Sequence, residues 1–210
     1  MRFWIRQVLF EYFRHKWLLL LFVTVFFCMG IFFGAVAVKT ISVDQADHLG
    51  GYLNGFLEKV SSTPISEQLF FRQNVLSNLY IMFAIFVLGL TIIGIPLVLV
   101  TVFSKGFILG FTVGFLVREK ALRGLAFALL SVLPQNLIII PAVIFGSVTA
   151  LSFSALLIKR RFKAHNTAIA NQLGIYTAVM VFLSLLTCAG GIIETYVTPT
   201  MIRTAATYIR

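Results

Sequence analysis

From residue 17 onward the chain is organised by long apolar runs separated by short polar patches. A helix that crosses a bilayer needs about 20 mostly apolar residues, and the first such run extends from Trp17 to Val38. Before it, residues 1–16 interleave Arg2, Arg6, Arg14 and Lys16 with Phe3, Trp4, Ile5, Leu9, Phe10 and Phe13, against the single acid Glu11. A basic, aromatic stretch of this kind suits a helix lying on the membrane surface. Ala35-Val36-Ala37 mimics a signal-peptidase site, but the apolar run ahead of it is too long for a signal peptide, so an uncleaved signal anchor is expected. Residues 39–75 change character, with Asp44, Asp47, Glu58 and Glu67 outnumbering Lys39, Lys59 and Arg72. Within them Leu49, Leu53, Phe56, Leu57 and Val60 recur at helical spacing, which predicts an amphipathic helix from Asp44 to Val60 whose apolar face rests most simply on the membrane domain or the lipid surface, with another protein as the alternative. A second short helix is expected after Pro64, capped by Ser66 with Glu67 in its first turn.

The run from Leu76 to Val117 is far too long for one crossing and is expected to hold two, with the break either at Gly94-Ile95-Pro96 or at Ser104-Lys105-Gly106. Arg118, Glu119, Lys120 and Arg123 mark the next polar turn. Between Gly124 and Ile158 the interruption Pro134-Gln135-Asn136 predicts a half-span entering the membrane, a break at Pro134, and a full span from Leu137 to Ile158. A last span runs from Gly174 to Val197, leaving residues 198–210 as a tail. The expected fold is therefore all-α: one polytopic membrane domain over residues 1–210, with about five transmembrane helices and one broken or re-entrant element.

Composition agrees, since 60% of residues are hydrophobic and only 11% charged, against roughly a quarter charged in ordinary soluble domains. The 17 Lys and Arg outnumber the 7 Asp and Glu. They flank apolar runs instead of forming a nucleic-acid footprint, so no nucleic-acid partner is expected. Clusters at Arg2 to Lys16 and at Lys159, Arg160, Arg161 and Lys163 put the N-terminus in the cytoplasm and the acidic loop outside. The cations at 118–123 then face the wrong way. Cys28 and Cys188 lack metal-ligand spacing and read as small buried hydrophobes, while His15, His48 and His165 are scattered in flanks and loops. Neither a paired-carboxylate site, a nucleophile with its base, nor a phosphate loop is legible, so no enzyme, cofactor or metal is expected.

Chemistry at membrane depth is carried by Lys105, Pro134, Gln135, Asn136 and Glu194. Intramembrane polar residues are costly: Lys105 either sits in a turn, snorkels to the interface or pairs with Glu194, while Gln135 and Asn136 either cap freed backbone at the break or form a polar site. The glycines Gly30 and Gly34, and Gly106, Gly110 and Gly114, are spaced four apart, which lets helices approach closely within the fold or against a partner. Two classes of function follow. A transporter or channel predicts a cavity lined by Lys105, Gln135 and Asn136; a scaffold predicts a filled core and an exposed partner surface.

Val-Leu-Gly-Leu at 87–90, Ile-Ile-Gly-Ile-Pro at 92–96, Lys-Gly-Phe at 105–107, Gly-Phe-Thr-Val-Gly-Phe-Leu-Val at 110–117 and Ser-Val-Leu-Pro-Gln-Asn at 131–136 resemble the stage II sporulation protein M family of endospore-forming bacteria. The likeness extends more loosely to Met29-Gly30, Phe33-Gly34 and the final segment with Glu194. The resemblance implies a multispan component of the peptidoglycan-remodelling complex that acts while the mother-cell membrane engulfs the forespore. Wall hydrolysis would belong to two single-span partners, proteins D and P of the same stage, and the chain would sit in the septal membrane as a non-enzymatic scaffold contacting lipid; a homo-oligomer stays open. The broader superfamily carries Pro-His-Gly-x-x-Glu at the corresponding break, where this chain has Pro134-Gln135-Asn136 and Ile139, so the ionisable pair is absent.

Overall fold

The computed structural model describes residues 2–62, 67–161 and 169–209. Five helical runs account for them: α1 (Arg2–Thr40), α2 (Val43–Ser62), α3 (Glu67–Gly89), α4 (Gly94–Arg161) and α5 (Ile169–Ile209). The basic N-terminal segment is not a separate surface helix but continues directly into the first span. Among the described residues four stretches are long and apolar enough to cross a membrane: Lys16–Thr40, Gly94–Glu119, Pro134–Ile158 and Asn171–Ile193. Among the described residues α3 adds a shorter apolar stretch, Val75–Gly89. The protein is an all-α polytopic membrane protein. Large side chains such as Phe32, Ile108, Phe182 and Leu185 are exposed at the bundle surface, as hydrocarbon surroundings allow. Cys28 shares that exposure instead of being buried, and Cys188 is half-buried.

Of the two expected break positions in the run from Leu76 to Val117, the chain uses the first. Residues 90–93 form a tight turn, with Thr91 N–H donating to Leu88 O at 3.0 Å and Gly94 N–H to Thr91 O at 3.2 Å. A Cβ on Gly94 would fall into the Leu88 carbonyl, so glycine is required there. Pro96 then lies in the first turn of α4, where its missing N–H costs nothing. Lys105 is internal to an unbroken helix.

The expected break at Pro134 is not there. The chain reverses at Ala121 (φ 49°, ψ −129°), and from residue 122 to Arg161 α4 is helical through both Pro134 and Pro141. Asn136 Nδ2 donates to Val132 O at 2.7 Å, a side-chain bond on the same turn as the proline. The reversal falls instead inside the charged patch Arg118 to Arg123, where water can solvate the backbone groups that a kink releases. An alanine at positive φ costs of order 1–3 kcal/mol. α4 thus comprises a first arm (94–120) and a second arm (122–161). There is no half-span ending at Pro134.

α1 and the first arm of α4 run parallel. Gly30 faces the backbone of Phe103 and Phe107, and Gly34 that of Phe107 and Phe111. In return Gly106 meets Phe27, Gly110 meets Ile31, and Gly114 lies 3.2 Å from Ala35 Cα, each measured from an added Cβ. Both expected small-residue ridges therefore pack against each other within one chain. Next to this seam Phe103, Phe107, Phe111 and Phe115 stack in a ladder, with centroids 6.3–6.4 Å apart. The second arm packs between α3 and α5 around Met82, Ile85, Ala142, Val148, Ala150, Met180 and Leu183. Near the 90–93 turn, Tyr176 stacks on Phe153 (4.5 Å) and Phe86 (5.3 Å) and donates to Phe86 O at 2.8 Å. Ser154 Oγ donates to Thr91 O at 2.7 Å and ties the turn to the second arm.

α2 lies at the opposite end of the bundle and touches α5. Among its described side chains and glycines Ala46 and Gly50 are buried, whereas Leu49 is 36% exposed and Tyr52 79%. Leu49 is thus partly covered; the side chains of Leu53, Phe56, Leu57 and Val60 lie outside the described residues, as do Pro64 and Ser66.

Candidate functional site: a polar cavity at membrane depth

Three of the intramembrane polar residues singled out by sequence meet in space. A cavity of about 280 Å³ is lined by Ser77 and Asn78 of α3, by Lys105, Ile108, Leu109 and Thr112 of the first arm, and by Val132, Gln135, Asn136 and Ile139 of the second. Lys105 lies eleven residues beyond Gly94 (105 minus 94), or about 16 Å of helix rise, near the middle of a hydrocarbon core roughly 30 Å thick. Asn78 is buried; Lys105, Gln135 and Asn136 are half-buried. Pro134 is half-buried one residue before the lining amides, and Glu194 is on α5 with its side chain outside the described residues.

Each polar group reaches the cavity for a local reason. Lys105 and Thr112 are seven apart, two turns along one face of α4. Gln135 and Asn136 follow Pro134 on the outer turns of the second arm. Glycines let the fifth helix close the assembly from behind. A Cβ on Gly190 would lie 2.6 Å from Ile139 Cγ1, and one on Gly191 3.3 Å from Val75 Cα and 3.5 Å from Asn78 Nδ2. Ser77, Asn78 and Thr112 complete the lining beyond the residues expected from sequence. Asn78 carried a usable signal, an amide only three residues inside an apolar stretch.

Deeper in the bundle the polar lining stops. Phe27, Ile140 and Val143 join Lys105, Leu109, Asn136 and Ile139 around a residual space of about 10 Å³, barely one water's worth. Beyond it the core is apolar and closely filled by Val23, Val98, Val102, Met82 and Leu183. Ser147 and Ser184 bond there to their own helices, to Val143 O and Met180 O, both at 2.8 Å. The lining offers one ammonium, three amides and two hydroxyls, suited to hydrogen bonding; among the lining residues there is no carboxylate to serve as a base.

A second concavity is apolar and lateral. Leu76, Leu79, Tyr80, Phe83 and Phe86 of α3 face Thr177, Met180, Val181 and Ser184 of α5 across a groove of about 740 Å³. Tyr80 and Phe83, 73% and 60% exposed, form its rim.

The family model described as stage II sporulation protein M matches residues 23–199, which take in both concavities, most of the first crossing stretch and all of the others. The chain belongs to that family. No curated protein and no solved structure matched it. Membership makes this a sporulation-related membrane protein. The matched segment starts inside α1 and ends on α5, so the glycine seam, the 90–93 turn and the reversal at Ala121 all belong to the region shared with the family.

Proposed function

We propose that this member of the stage II sporulation protein M family is a non-enzymatic scaffold that recruits and positions peptidoglycan hydrolases at the engulfing mother-cell membrane. Its partners are single-span wall hydrolases, the D and P proteins of the same stage by resemblance. The observation that carries the reading is the lateral groove between α3 and α5. In a bilayer, helices associate through close van der Waals packing where small side chains admit a neighbouring backbone. Ser77, Thr177 and Ser184 supply such positions between the aromatic rims of Tyr80 and Phe83. The charge bias places the N-terminus in the cytoplasm; α2 and the end of α5 then face the wall space on one side, where a tethered hydrolase gains effective concentration.

Photocrosslinking tests this placement. A photoreactive residue at Phe83 or Val181 is expected to capture a single-span partner in sporulating cells, while the same probe at Leu21 or Phe32 of α1 is expected to capture none. Equal capture from both faces would remove the groove from the account.

A second reading, a solute site within the membrane, is favoured by the cavity around Lys105. The filled core beneath that cavity favours the scaffold, because a conduit needs a polar path through the other half of the bundle.

A further inference from the structure

The cations of the turn at 118–123 are the one part of the charge pattern that the positive-inside bias leaves unexplained. The structure puts one of them to a definite use. Arg118 Nη1 donates to Val38 O at 2.6 Å, covering a carbonyl of the last turn of α1. That bond holds the guanidinium at the mouth of a cleft between α1 and the first arm of α4. The cleft, about 480 Å³, is walled by Ile31, Ala35 and Val38 on one side and by Leu109, Val113 and Val117 on the other, with Gly110 and Gly114 at its floor. Lys39 joins Arg118 at the mouth, and both are exposed.

We propose that this cleft is a binding site for one anionic phospholipid of the extracytoplasmic leaflet, its acyl chain in the cleft and its phosphate between Lys39 and Arg118. Three observations support that occupant. The walls are apolar from Ile31 to Val117 and the only charged lining groups are the two cations at one end, which is the polarity of a lipid read from tail to headgroup. From Leu109 to Arg118 is nine residues (118 minus 109), about 14 Å of helix, or close to one leaflet of hydrocarbon. The neighbouring acid does not cancel the cations at the mouth: the Glu119 carboxylate is directed at α2, with Oε2 3.3 Å from where a Cβ on Gly50 would stand. Cations near a membrane surface favour anionic over zwitterionic headgroups. The site is separate from the α3/α5 groove and does not depend on the scaffold reading.

The test uses the full chain in nanodiscs of equal phosphatidylglycerol and phosphatidylcholine, followed by native mass spectrometry of the lipids that stay bound. The wild type is expected to retain one phosphatidylglycerol preferentially. Lys39→Gln with Arg118→Gln is expected to lower the retained phosphatidylglycerol-to-phosphatidylcholine ratio at least fivefold. Val113→Trp, which fills the cleft and leaves both cations, is expected to do the same, while Lys159→Gln with Lys163→Gln is expected to keep the tightly held lipid. An unchanged ratio in the first two variants, or an equal drop in the third, would overturn the site. Should the double variant not accumulate, Val113→Trp alone decides it.

Discussion

Gly110→Leu is expected to lower the amount of folded protein in the membrane by about tenfold, and Gly34→Leu to do nearly the same. At Gly110 the first added carbon would overlap the Ile31 carbonyl oxygen and lie 2.7 Å from Ile31 C and Cα; at Gly34 it would meet the Phe107 carbonyl and lie 2.8 Å from Phe111 N. These obstacles are backbone, which has no rotamer to change. Overpacking against movable side chains costs typically 1–3 kcal/mol; here α1 must leave the first arm of α4 along the whole seam, so a loss above about 3 kcal/mol is expected from a total stability of roughly 5–15. Gly110→Ala should fall partway. Gly174→Leu and Gly51→Leu, at positions where an added carbon meets nothing within 4 Å, should match the wild type. Membrane-fraction immunoblots and melting in detergent measure this. Normal level and melting with only a partner lost would mean that the glycines form an interface with another protein.

Filling the lateral groove is expected to act in the opposite way, removing partners while sparing the fold. Thr177 and Ser184 line the groove from α5, and both are half-buried. A tryptophan at either occupies space that a partner helix would use. Thr177→Trp with Ser184→Trp should reduce the ratio of co-purified single-span protein to chain at least tenfold, the equivalent of about 1.4 kcal/mol of lost binding, at unchanged membrane level. Phe32→Trp, on the exposed face of α1, serves as control. A wild-type ratio in the groove-filled variant would mean that lipid occupies this surface.

What could be read from the chain beforehand followed the physics that is local in sequence. The spans were legible because each is a run of about 20 apolar residues, and Leu76 to Val117 was legible as two crossings by length alone. The site of the break was ambiguous because the turn that makes it, Leu90-Thr91-Ile92-Ile93, is itself nearly all apolar; what fixes it is the close contact of Gly94 with Leu88, visible only in three dimensions. Pro134 misled for the converse reason. A proline followed by two amides looks like a helix end, yet Asn136 bonds back to Val132 and the helix runs on. The reversal at Ala121 left no signature of its own, since alanine is the best helix former and a poor choice at positive φ.

The glycine spacing announced close packing but could not name the opposing helix, because an i, i+4 pattern carries no partner identity; that Gly30 and Gly34 meet the ridge at Gly106 and Gly110 depends on α1 and α4 running parallel. In the cavity, Lys105, Gln135 and Asn136 stood out against apolar neighbours. Thr112 did not, since a hydroxyl that bonds its own helix, as Thr112 does to Ile108 O at 2.8 Å, is ordinary in a spanning helix.

Proteins retained by a tagged copy of the chain, solubilised in native-like detergent from sporulating cells and identified by mass spectrometry, measure the central claim most directly. The scaffold account predicts single-span wall hydrolases in near-stoichiometric amount. Their absence, together with solute or ion flux through liposomes holding the pure protein, would contradict it and make the cavity around Lys105 part of a conduit.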